Sequence, residues 1–177
     1  MMCAETVNPQ DGVTIRTELT RDTAAIATIV TAAFGGEAES RLVSLLRARE
    51  EATLSLVAEQ HGRIIGHVIA SPIRIDPAPD GSYLGIAPLS VQPEQQSQGV
   101  GSQLMKAAIA AARTLDVDAL FLLGDPSYYS RFGFTASHLH NEYGATDAFM
   151  HLELQPDSLT GTTGTVRYAA AFRDAGT

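Results

Sequence analysis

The sequence predicts a mixed α/β (α+β) domain whose sheet begins largely antiparallel. Three observations carry this. Stretches with an apolar period of two and stretches with a period near 3.6 both occur along the chain. Three strand-like runs follow one another between residues 53 and 91 with no helix between them. The order is strand, two helices, three strands, helix, strand, short helix and strands, which is not the regular alternation of a doubly wound fold.

The first strand is "GVTIRTEL", Gly12 to Leu19. A helix follows over Arg21 to Phe34, with Ile26, Ile29, Val30 and Phe34 on one face, and Gly35-Gly36 ends it. Glu37 to Glu50 reads as a second helix with Leu42, Leu45 and Leu46 inward. The strands Thr53 to Gln60 and Arg63 to Ile75 are joined by His61-Gly62, a hairpin link. After a turn over Ala78 to Ser82, Tyr83 to Val91 is a strand whose Pro88 removes a ladder donor and implies a bulge or an edge. A helix is expected from Gly99 to Leu115, with Val100, Leu104, Ala107, Ala111 and Leu115 as its buried stripe. Ala119 to Gly124 is short and wholly apolar, as in a central strand. Ala148 to Leu154 and Thr165 to Phe172 read as late strands or extended pieces.

At 177 residues the chain suits one domain, 1–177, and can bury roughly 70% of its unfolded surface. Residues 1–11 are expected to be flexible, and 155–177 to form a C-terminal extension packed on the domain. Hydrophobic residues at 45% against 18% charged argue for a packed core over disorder. No apolar run approaches a membrane span, and "MMCAETVNPQDG" has no basic start or apolar h-region. Cys3 is the only cysteine, which excludes an internal disulfide and a cysteine-rich zinc site. The cytoplasm is the simplest compartment. The net charge of -8 and the lack of a Lys/Arg cluster argue against nucleic acid as a partner. An acidic surface suits a cationic amine, and it equally serves solubility.

The segment "QQSQGVGSQLMKAA" places Gly99 and Gly101 where a polar loop enters a helix. The first helical N–H groups have no partner within the helix, and the dipole favours negative charge there. Glycine lets an anion approach the backbone closely. The loop from Gln96 to Ser102 can therefore cradle a pyrophosphate, or simply turn the chain into a core helix. A P-loop is excluded because Lys106 lies five residues past Gly101. A dinucleotide fingerprint is excluded because no third glycine follows.

The pattern Gln96-x-x-Gly99-x-Gly101 lies between a strand ending in "LSVQP" and a helix, and "YYSRFGF" follows at Tyr128 to Phe134. Together these resemble the acetyl-CoA signature and the later Tyr-x-x-x-Gly-Phe element of the GNAT N-acetyltransferase superfamily. "LLGDPSYYSRFGF" and "GTVRYAAAF" further resemble its YhbS-like branch. The resemblance runs from about Gly12 to Phe172. It implies the GNAT-like acyl-CoA N-acyltransferase fold: a curved, mixed, mostly antiparallel sheet, splayed at the centre, with helices on both faces. The implied co-substrate is acetyl-CoA, without a metal, and the implied partner an amine; a homodimer is left open. Backbone groups of Leu89, Ser90 and Val91 would bind the pantetheine arm. The loop of Gln96, Ser97, Gln98, Gly99, Val100, Gly101 and Ser102 would hold the pyrophosphate. Many members have arginine where this chain has Gln96, so phosphate binding would lean on backbone dipoles. Tyr129, four residues before Gly133, stands at the family's general-acid position, with Tyr128 as a wall or core residue.

The resemblance does not supply a general base. His67 shares a strand face with Ile65, Ile69 and Ser71, where a core histidine and a base are both consistent readings. Glu37 and Glu39 either meet a cationic substrate or cap a solvated helix start. Asp125 before Pro126 shapes a turn. His138 and His140 lack a third metal ligand, and a water chain would also serve as base. The function so predicted is acetyl transfer from acetyl-CoA to a primary amine of a small molecule or a protein. The alternative is a non-catalytic acyl-CoA-binding module of the same fold.

Overall fold

A computed structural model describes residues 6–8, 12–77 and 80–177, with backbone alone at 6–8. The flexibility expected of residues 1–11 lies outside the described residues, except that Thr6–Asn8 forms a strand, β1. The elements that follow are β2 (Val13–Thr17), α1 (Thr23–Phe34), α2 (Ala38–Ala48), β3 (Leu54–Gln60), β4 (Arg63–Asp76) and β5 (Tyr83–Val91). Then come α3 (Val100–Thr114), β6 (Ala119–Leu123), α4 (Pro126–Tyr129), β7 (Thr135–Ala136), β8 (His140–Asn141), β9 (Phe149–Glu153), β10 (Thr165–Arg167) and α5 (Ala170–Ala175).

The sheet runs β1-β2-β3-β4-β5-β6-β9-β7. Along this path β5 and β6 are parallel and the other pairs antiparallel. His61 and Gly62 both take positive φ, +51° and +74°, as a two-residue hairpin turn requires. The β4–β5 register slips between Val68 and Ala70, opposite Ala87-Pro88, so the proline expected to make a bulge does so.

β5 meets β6 only at Tyr83–Gly85 against Ala119–Phe121. From Ile86 onward, among the described residues, no strand pairs with its outer edge, and the sheet splits there. One core cluster joins α3 to the sheet through Leu104, Met105, Leu120 and Phe134. Another joins α1, α2 and α5 through Ile26, Leu46, Ile69 and Phe172. Both faces are thus covered.

Four packing expectations change. Phe34 is 47% exposed, because α1 ends there at Gly35 in the left-handed conformation and the ring falls beyond the core. On α2, Val43 is buried and Leu45 only half-buried. On α3 the buried stripe is Val100, Leu104, Met105, Ala108 and Ala112. Ala107 and Ala111 are half-buried, and Leu115 is 48% exposed. Finally, Thr165 to Phe172 is not one extended piece. β10 pairs with the far end of β4, and α5 then packs on α2, with Arg49 bonded to Asp174 at 2.7 Å.

Candidate functional site

The split beside β5 opens into a cavity of about 490 Å³ at the mouth of α3. Of the residues predicted for the co-substrate, Leu89, Val91, Gln96, Ser97, Gly99, Gly101 and Ser102 line it. Three do not. Val100 is 3% exposed and packs into the core. Gln98 turns back, its amide nitrogen donating to the Glu94 carbonyl at 3.1 Å. Ser90 faces the other way: Gln92 N–H donates to Ile65 O at 2.8 Å, so by strand alternation Ser90 also directs its backbone groups to β4. Leu89 and Val91, one residue on either side, direct theirs to the open edge.

The loop is shaped by backbone conformation. Gly99 sits at φ +86° as the N-cap of α3, and Ser97 at φ +61°. Gly101 is needed for a different reason. A Cβ there would lie 2.8 Å from the Tyr128 hydroxyl and 3.7 Å from Val91 Cγ2. Gln96 does not face a ligand with its amide nitrogen, which donates to the Val91 carbonyl at 3.1 Å and so ties the loop to the end of β5.

Sequence reasoning missed Ala33, Phe34 and Arg131, all of which line the cavity. Phe34 reaches it because its ring lies outside the core. Arg131 reaches it from the tight helical turn Ser130–Phe132 that directly follows α4. Its guanidinium lies 4.5 Å from the centre of the Tyr128 ring, and its Nε donates to the Tyr128 carbonyl at 3.2 Å. It brings a side-chain cation to the glycine loop, where Gln96 carries none. The signal was present in "YYSRFGF", but only the fold carries that segment back to α3.

Tyr128 is a wall of the cavity, as expected. Tyr129, the predicted acid, does not line the cavity: it lies behind Tyr128 against the core, its ring 4.9 Å from Tyr128 and 6.1 Å from Phe134, centre to centre. Burial, with a smaller contribution from Tyr128, pushes its hydroxyl up to about 12, so it holds its proton at neutral pH. Asp125 caps α4, accepting from the Ser127 N–H at 2.9 Å and the Ser127 hydroxyl at 2.8 Å, which is the turn-shaping role.

None of the candidate bases lines the cavity. Glu37 precedes α2 and lines a separate groove between α1 and α2. Glu39 is in the first turn of α2. His138 Nε2 lies 2.9 Å from the Thr162 carbonyl, and His140 is an exposed residue of β8. Among the described residues no three of His, Cys, Asp and Glu gather as a metal-binding group.

His67 is fully buried, with Nε2 2.8 Å from Ser55 Oγ and 3.4 Å from Glu18 Oε2. Ser55 donates its hydroxyl proton to Glu18, and Arg47 Nε bonds Glu18 at 2.6 Å. Since that serine proton goes to the carboxylate, Ser55 Oγ accepts from His67 Nε2–H. Burial raises the Glu18 carboxyl, but the hydrogen bonds of His67, Arg47 and Ser55 outweigh it and bring it to about 2. Burial pushes His67 below its usual range, against the pull of Glu18.

A pH dependence follows. Below the ordinary histidine range, ~6.5, the unfolded chain takes up a proton that folded His67 refuses, so stability falls as pH falls through that window. The Glu18 contribution is present above the ordinary glutamate value, ~4.3, and is lost as pH falls toward about 2. Urea midpoints at about pH 7 and about pH 5 should therefore differ in the native chain and differ less in His67→Gln, the remainder coming from His151, which burial also pushes down. An undiminished pH slope in His67→Gln would place its origin elsewhere.

The residues from 23 to 134 match the model of the acetyltransferase (GNAT) family. YhbS, an uncharacterized N-acetyltransferase of Escherichia coli (strain K12), is 35% identical over 163 residues, covering 89% of this chain and 97% of YhbS. The chain belongs to the GNAT acetyltransferase family. The crystal structure of Escherichia coli YhbS in complex with CoA superposes on this GNAT chain with a TM-score of 0.88 at 34% identity, covering 95% and 96% of the two chains. A GNAT family acetyltransferase from Brucella melitensis, in complex with acetyl-CoA, gives 0.79 at 37% identity, covering 92% and 99%. The split mixed sheet is the GNAT fold, and the chain is an acetyltransferase of that family. Among the described residues no helix is long and apolar enough to cross a membrane.

Proposed function

We propose that the chain moves the acetyl group of acetyl-CoA to a primary amine of a small molecule or a protein, in the cytoplasm. One observation carries this reading. The cavity joins the open N-terminus of α3 to the unpaired edge of β5, one end suited to a pyrophosphate and the other to an extended amide arm. The complexes of YhbS with CoA and of the Brucella melitensis enzyme with acetyl-CoA support it.

Backbone N–H groups from Ser97 to Ser102 and the Arg131 guanidinium hold the phosphates. The open edge of β5 at Leu89 and Val91 holds the arm and offers an N–H to the oxyanion of the tetrahedral intermediate. The amine attacks as its neutral form, the C–N bond forms, the C–S bond breaks and the thiolate leaves with the proton of Tyr129, while the proton shed by the acylated nitrogen passes to water, from which Tyr129 recovers its own. Phe34 and Ala33 wall the cleft against water.

Calorimetry tests the binding half. Acetyl-CoA should bind at least about tenfold more tightly than pantetheine, which lacks the phosphates, because charge-assisted hydrogen bonds are lost with them. Arg131→Ala should narrow that gap several-fold. Equal affinities in the native chain would remove the cradle from the argument. An amine panel read by release of free thiol tests the transfer; binding without turnover across the panel would favour the non-catalytic module.

A further inference from the structure

A second cavity, of about 720 Å³, lies away from the cleft and shares no residue with it. It sits under the C-terminal half of α3, against the end of β2, the start of β3 and the last turn of α2. Its volume is in the range of small-molecule sites. Its walls are mainly apolar, with Ile15, Leu54 and Leu56 on the sheet side and Ala107, Ala111 and Leu115 on the helix. α3 therefore carries two apolar faces. Val100, Leu104 and Met105 fill the core, and Ala107 and Ala111 leave this space.

Leu19, 44% exposed, and Leu115, 48% exposed, both line it. Large apolar side chains left this open are informative when they cluster at one concave site. The charged groups define what fits. Glu18 is bound to Arg47, and Arg16 to both Asp22 and Glu59 at 2.7 and 2.8 Å. Each charged side chain on the wall is already in an ion pair, and the one buried donor left there without a partner among the described residues, Arg47 Nη2, can be met by a carbonyl or hydroxyl oxygen at a smaller hydration cost than a carboxylate pays. An uncharged molecule gains apolar contact and meets hydroxyls at Thr17, Thr20 and Thr53.

We propose that this cavity is a binding site for an uncharged, mainly aliphatic small molecule bearing a hydroxyl or carbonyl group, separate from the acetyl-CoA cleft. The experiment uses the full chain with 1-octanol, octanoate and octylamine, followed by calorimetry and by the amide NMR signals of residues 107–115. The alcohol should bind saturably and shift those signals, and the two ions should bind about tenfold more weakly or not at all. Ala111→Phe, which fills the space, and Leu115→Asp, a surface change that charges the mouth, should each weaken alcohol binding at least about tenfold in chains shown to be folded by circular dichroism. The proposal is overturned if no alcohol binds, if all three probes bind alike, or if both variants keep native affinity. Binding seen only after removal of residues 1–5 would give the cavity to the chain's own terminus and also overturn it.

Discussion

Gly101→Val is expected to weaken acetyl-CoA binding by roughly ten- to a hundred-fold, the loss of one or two charge-assisted hydrogen bonds, in a chain that still folds. The new Cβ meets the end of the Tyr128 side chain at 2.8 Å and Val91 Cγ2 at 3.7 Å. The tyrosine tip can move aside, so the fold tolerates the change. It moves, however, within the cavity proposed for the phosphates, and the valine methyls occupy the rest. Gly101 has no positive φ, so a side chain here strains no backbone. Gly99 provides the contrast. A Cβ there meets nothing within 4 Å, yet φ is +86°. Gly99→Ala should thus cost roughly 1–2 kcal/mol of stability by left-handed strain, with its effect on affinity following from the loop's shape. Calorimetry with acetyl-CoA and thermal melts of both variants separate the two. Unchanged affinity in folded Gly101→Val would reduce the glycine loop to a turn.

Tyr129→Phe is expected to lower kcat by ~10²–10⁴-fold, toward the lower end, for an acceptor identified in the amine panel. Phenylalanine keeps the contacts with Tyr128 and Phe134 and removes only the hydroxyl. The lower end follows because a thiolate leaves fairly well unaided. KM for acetyl-CoA should change little, since a proton donated to the departing sulfur matters in the transition state. Tyr128→Phe should behave in the opposite way. Its hydroxyl stands against Gly101 in the cleft, so KM should rise while kcat holds. If Tyr128→Phe loses kcat and Tyr129→Phe does not, the acid is Tyr128. If neither slows a confirmed transfer, tyrosine is not the acid.

Of the candidate site, the loop was legible and its surroundings were not. Gln96, Gly99 and Gly101 stood out because their spacing is local, and a glycine before a helix has a short-range cause. The same local pattern could not show that the Gln96 amide would be spent on the Val91 carbonyl, or that Arg131 would bring the cation. Those depend on how β6 and α4 return across the split. His67 could be read as base or core from its strand face; its full burial, with Ser55 and Glu18 at Nε2, places it outside the cleft.

The sequence by itself determined β2 to β6, their turns and the ends of α1 to α3 to within about two residues, because each follows from a period, a proline or a glycine close by, but it did not show β1, β7, β8 or the helix α5. Pro88 made its bulge, His61-Gly62 made its hairpin, and α3 began at the residue after Gly99. Only the tertiary structure decided how α3 is rotated. In "AAIAAA" every position is apolar, and five of the six are alanines that contribute equally, so transfer free energy selects no face there. The sheet selected Met105, Ala108 and Ala112, through contacts with strands distant in sequence. The rejected face of Ala107, Ala111 and Leu115 was left to line a cavity that no local pattern contains.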